Sequence, residues 1–109
     1  MAYSSQIISI TKEPFTSDYR RNCGWRVTIK FIMTNSLYRD KLLNNTELYI
    51  SKKGDNFFEY SQCVTETPTT LGALQELEDI KNGIISDKYI SPVERYILNA
   101  LQTLDLYWD

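Results

Sequence analysis

The side chains that most often do chemistry at neutral pH are scarce in this chain of 109 residues, which contains no histidine. That removes the commonest general base, the commonest metal ligand and the base partner of a serine or cysteine nucleophile. Two cysteines, Cys23 and Cys63, stand far apart, and neither belongs to a C-x-x-C pair. An all-thiolate zinc site needs four of them. Reduced thiols are the expectation in a chain without an export signal, and a bridge would require Cα atoms within about 7 Å. The glycines at 24, 54, 72 and 83 form no phosphate-cradling pattern, and there is no G-x-S-x-G elbow. Glu76, Glu78 and Asp79 have the type for paired acid–base work on glycosides, yet their spacing suits the solvated side of a helix. Asp87 and Glu94 have the type for a divalent cation, but Glu94 is accounted for as part of a helix cap. The expectation is no catalytic residue, no metal site and no cofactor.

What remains is the chemistry of contact, and two surfaces offer it. Arg26 and Lys30 share one face of a strand, Tyr49 can join them from a neighbouring strand, and Lys52 and Lys53 flank a turn. Cations interleaved with rings grip single-stranded nucleic acid by phosphate neutralisation and base stacking. A sequence pI of about 5.1 weighs against that use. The second surface is acidic. It comprises Glu76, Glu78 and Asp79, with Leu106 and Tyr107 as apolar residues that fall off the helix stripe accounting for Trp108.

Charge is unevenly spread along the chain. Residues 1–60 hold nine Lys or Arg against six Asp or Glu, whereas residues 61–109 hold three against eight; the net charge is -2. If the two halves form separate layers, the domain carries a dipole that steers partners. No apolar run approaches the roughly 18 residues of a membrane span. Met1 to Gln6 lacks a charged region leading into an apolar one. A cytoplasmic protein is expected.

The elements that must position these side chains change period halfway along. Gly24 to Thr34 alternates Trp25, Val27, Ile29, Phe31 and Met33 with Arg26, Thr28, Lys30 and Ile32, the pattern of a half-buried antiparallel strand. Further strands are expected over about 47–52 and 56–64, joined at Gly54-Asp55 by a two-residue turn needing positive φ. Another is expected over 6–11, stopped by Pro14. Adjacent Phe57 and Phe58 leave one ring partly exposed. Asn35 to Asn45 reads either as a short helical turn capped by Ser36 or as an irregular connection. Ala73, Leu74, Leu77 and Ile80 give a helix over about 71–82 closed by Gly83. Ser91-Pro92 with Glu94 opens a second over about 92–108, whose stripe runs through Val93, Ile97, Ala100, Leu101, Leu104 and Trp108.

A sheet with one apolar face and two amphipathic helices can close a core only against each other. The fold expected is a single α+β domain of two layers over 1–109, in the order ββββαα. An antiparallel sheet of about four strands is covered on one face by two C-terminal helices. The function expected is non-catalytic binding of another protein, of inhibitor, immunity or regulatory type. The alternative is nucleic-acid binding through the open sheet face. A second copy of the chain, joined through sheet edges or that face, is a further candidate partner; a membrane is not.

Overall fold

The computed structural model describes residues 5–14, 24–46, 48–84 and 93–106. The alternating run becomes strand β2 (Trp25–Ile32), whose Val27, Ile29 and Phe31 are fully buried while Arg26 and Lys30 are exposed. It pairs on one side with β1 (Gln6–Pro14) and on the other with β4 (Phe57–Val64), which in turn carries the short β3 (Ile50–Lys52). All pairings are antiparallel, in the order β1-β2-β4-β3. Helices α2 (Pro68–Lys81) and α3 (Val93–Thr103) follow the strands. Their Ala73, Leu74, Leu77, Ile97, Ala100 and Leu101 join Phe31, Phe58 and Tyr60 in one core. The α+β fold with an antiparallel four-stranded sheet is as expected.

The order is not strictly ββββαα, because a third helix, α1 (Ser36–Asn44), lies between β2 and β3. Its N-cap is Asn35 rather than Ser36: the Asn35 Oδ1 accepts the N–H groups of Leu37 at 3.0 Å and Tyr38 at 3.4 Å. One buried residue, Leu42, fixes α1 to the core, and the helix packs against α3. The Arg39 guanidinium donates to the Asn56 side chain, tying α1 to the hairpin.

Several boundaries move for identifiable reasons. Strand β1 runs on through Pro14, which pairs with Trp25. It is an edge strand, where a missing N–H breaks no ladder. A bulge at Ile8 slips the register between Ile7 and Ser9. Ile7 and Ile10, an odd number of residues apart, thereby both reach the core side. Strand β3 shrinks to three residues, and the hairpin loop spans 53–56, with the N–H groups of Lys53 and Gly54 both donating to the Phe57 carbonyl at 2.8 and 3.2 Å. Gly54 does not have positive φ, so the expected two-residue turn is replaced by a longer loop. Phe58 is fully buried and stacks on Phe31 at 5.8 Å between centroids, while Phe57 stays half-buried, as the paired rings implied.

Helix α2 starts three residues earlier than its apolar stripe, because Thr67 caps it and Pro68 occupies the first turn. It closes as expected on Gly83 at φ 72. The Gly83 N–H donates to the Ile80 carbonyl at 3.2 Å and that of Ile84 to Asp79 at 2.9 Å, a Schellman arrangement. Helix α3 ends at Thr103, well short of residue 108. There Asp105 donates its N–H to Thr70 Oγ1 at 3.0 Å, and Leu106 forms an antiparallel bridge with Val64. The expected caps Ser91 and Pro92 and the stripe residue Trp108 lie outside the described residues. Glu94 is buried, and its Oε1 accepts the Ser5 hydroxyl at 2.8 Å, so its carboxylate ties the first turn of α3 to the residue preceding β1.

Candidate functional site

The outward sheet face is open among the described residues, and its charges are matched. Arg26 lies opposite Glu13 on β1, and Lys30 lies opposite Glu59 on β4. Between them runs a hydroxyl ladder, in which Thr11 donates to the Thr28 carbonyl at 3.4 Å and the Thr28 and Ser61 hydroxyls are hydrogen-bonded to each other at 3.2 Å. Opposite charges directly across a strand pair are a sheet-stabilising arrangement. The other members of the expected cationic face are elsewhere. Lys52 lies opposite the core residue Phe58, on the other side of the sheet from Lys30. Lys53 is in the hairpin loop, and Tyr49 borders a groove beside α3. The structure therefore does not bring Arg26, Lys30, Tyr49, Lys52 and Lys53 to one surface. Strand β4 separates β3 from β2, a spacing that no local pattern encodes.

Of the two sheet edges, β1 carries Pro14, Lys12, Glu13 and the bulge, and β3 is three residues long. These are the devices that blunt an edge against pairing with a second copy. Lys12 is also engaged on the inner side, its Nζ lying 4.9 Å from the centroid of the partly buried Trp25 ring.

The acidic residues keep their place on α2. Glu76 and Asp79, three apart, share one flank, while Glu78 lies on the opposite flank of the buried stripe. All three are partly exposed, and the Asp79 carboxylate accepts the Gln75 amide at 3.0 Å. Leu106, expected to project toward a partner, is half-buried by its bridge to Val64. Tyr107 lies outside the described residues.

Two hollows flank α3 that the linear pattern did not signal. One, of about 380 Å³, is bordered by Leu48, Tyr49, Tyr60, Leu101, Leu104 and Leu106. Leu106 thus contributes apolar surface to a groove instead of a free tail. Burial, with Tyr49 beside it, pushes the Tyr60 phenol from its ordinary value of 10 up to about 12. The other, of about 400 Å³, lies between α1 and α3 and is bordered by Tyr38, Lys41, Arg95, Leu98, Asn99 and Gln102. Each set is drawn from elements remote in sequence, which is why spacing could not assemble it.

Cys63 is a free thiol, half-buried on β4, and Cys23 lies outside the described residues. Among the described residues no group of three His, Cys, Asp or Glu could hold a metal ion, and no helix is long and apolar enough to cross a membrane. Compared with known proteins, the chain finds no significant match to a family model, a curated protein or a solved structure.

Proposed function

We propose that the protein is a non-catalytic, cytoplasmic binding module that docks its acidic helical side onto a basic surface of another protein, as inhibitors and immunity-type proteins do. The observation that carries this reading is the segregation of charge between layers. The strands and their hairpin loop bear Lys12, Arg26, Lys30, Lys52 and Lys53 against Glu13, Asp55 and Glu59. The described stretch from Thr65 onward bears Glu66, Glu76, Glu78, Asp79, Glu94 and Asp105 against Lys81 and Arg95. Glu94 is spent internally on Ser5, which leaves the α2 acids as the outward field. Such a field speeds encounter with a cationic partner and orients it, an effect that weakens with salt. Helix α1, with Arg39 and Lys41 against Asp40, is the exception on the helical side.

Nucleic-acid binding is the weaker reading, because Arg26 and Lys30 each have a carboxylate directly opposite. The test is affinity capture from native lysate at 0.05 and 0.5 M salt (about the range over which screening becomes complete), with the wild type and with the Glu76→Lys/Asp79→Lys double variant. Capture of a basic protein that fades with salt and is lost in the variant supports the reading. Capture indifferent to both changes overturns it, as does a gel shift with nucleic acid at low salt that weakens steeply as salt rises.

A further inference from the structure

The groove that Leu106 helps to border lies at a break in the sheet edge. Strand β3 covers the outer edge of β4 from Phe58 to Tyr60, and Leu106 takes that edge up again at Val64. Residues two apart on a strand point their N–H groups to the same side. Thr65 donates there to the Asp105 carbonyl at 2.7 Å, but the Cys63 N–H donates to the side chain of its own neighbour, Gln62 Oε1, at 3.1 Å. The hollow of about 380 Å³ lies where the two covering segments fail to meet. Its depth is lined by the buried Tyr60, Leu101 and Leu104, and its sides by the more exposed Leu48, Tyr49 and Leu106.

Tyr60 is the side chain that the fold leaves unfinished. Only 1 % of it is exposed, and a buried phenol ordinarily hydrogen-bonds. No hydrogen bond joins its hydroxyl to another described residue, yet no fully buried polar side-chain atom among the described residues is orphaned. The hydroxyl is therefore the part of Tyr60 that reaches the hollow, a single donor at the bottom of an apolar recess. We propose that this hollow is a binding site for a small uncharged molecule with an apolar body and one carbonyl-type acceptor, which takes the Tyr60 hydrogen bond. The other polar groups on its border, Thr46 and Gln102, are neutral and exposed at the rim. No charged side chain among the described residues lines it, so an ionic ligand would be desolvated without a counter-charge. The volume is at the small end of the roughly 300–1,000 Å³ typical of ligand pockets.

The experiment is a methyl and amide chemical-shift titration of the full chain at pH 7.5 with four probes of similar size: acetophenone, ethylbenzene, benzoate and benzylamine. Saturable shifts centred on Leu48, Leu101, Leu104 and Leu106 are expected for acetophenone. Ethylbenzene, which lacks the acceptor, should bind about three- to tenfold more weakly, the worth of one net hydrogen bond. The two ions should bind at least about tenfold more weakly. Tyr60→Phe should bring acetophenone down to the affinity of ethylbenzene, leave ethylbenzene unchanged and not lower the thermal midpoint, because no bond within the protein is lost. An ion matching acetophenone, ethylbenzene matching it in the wild type, a midpoint lowered by Tyr60→Phe, or no saturable shift overturns the proposal. So do shifts at these leucines that follow protein concentration without any probe, which would assign the hollow to a second copy of the chain. None of these outcomes bears on docking by α2.

Discussion

The Ser5 hydroxyl donates to Glu94 Oε1 at 2.8 Å across 89 positions, and Ser5 Oγ itself accepts the Thr34 N–H at 3.0 Å. Both side chains are buried, Glu94 at 9 % exposure. One small hydroxyl therefore joins the start of β1, the exit of β2 and the first turn of α3. Removing a partner from a buried charged acceptor costs on the order of 1–3 kcal/mol. We expect Ser5→Ala and Glu94→Ala each to lower urea stability by that amount, with Glu94→Gln milder because it keeps an acceptor. The Ser5→Ala/Glu94→Ala pair should fall short of the sum by about 1 kcal/mol, as read from a double-mutant cycle.

Thr70, fully buried at the start of α2, accepts the Asp105 N–H through Oγ1, while Thr67 accepts the Thr70 N–H at 3.2 Å and donates to the Asp105 carboxylate. Thr70→Val preserves shape and deletes the acceptor. It should cost about 1–3 kcal/mol and raise the exchange rate of the Asp105 amide, and Thr70→Ser should restore most of both. If Thr70→Val leaves that amide protected, the hydroxyl is not what holds the end of α3.

Tyr60 supplies a pH dependence with a definite sign. Its folded phenol lies at about 12 against an ordinary value of 10. The neutral form is the one the fold accommodates, so its contribution is intact below pH 10 and is lost as pH rises from there through 12. Two units correspond to roughly 2–3 kcal/mol at the upper end. Denaturation followed from pH 9 to 12 should show this fall, and Tyr60→Phe should flatten it; an identical slope in the variant would assign the loss to other groups.

Three glycines should respond to alanine in opposite directions. A Cβ on Gly24, at φ 104, would lie 2.0 Å from the Val64 carbonyl oxygen, so Gly24→Ala should destabilise by more than about 2 kcal/mol. Gly83→Ala, strained at φ 72 but unobstructed, should cost about 1 kcal/mol. Gly72 lies inside α2 with open space around it, and Gly72→Ala should stabilise by about 0.5–1 kcal/mol. Thermal midpoints order the three.

Periodicity is a local property, and wherever one face of an element decides its fate the sequence is a sufficient guide. Alternation over Trp25–Met33 and the stripe through Ala73, Leu74 and Leu77 determined β2, α2 and the two-layer α+β packing, because each apolar face has to be covered. Gly83 announced its helix end for an equally local reason, its tolerance of positive φ. The Thr67-Pro68 start of α2 was also written in the chain, as the same cap-and-proline signal that Ser91-Pro92 displays.

Tertiary structure decided the rest. The bulge that turns both Ile7 and Ile10 inward exists because β2 fixes the register beside it. Helix α3 stops at Thr103, short of the expected 108, where Thr70 takes the Asp105 N–H and Val64 bridges Leu106. Strand order set β4 between Lys30 and β3, dispersing the expected cationic face, while the packing of α1 on α3 brought Lys41 and Arg95 to one cleft. Which charges meet depends on how distant segments pack, and that free energy is shared across the whole core instead of residing in any run of neighbouring residues.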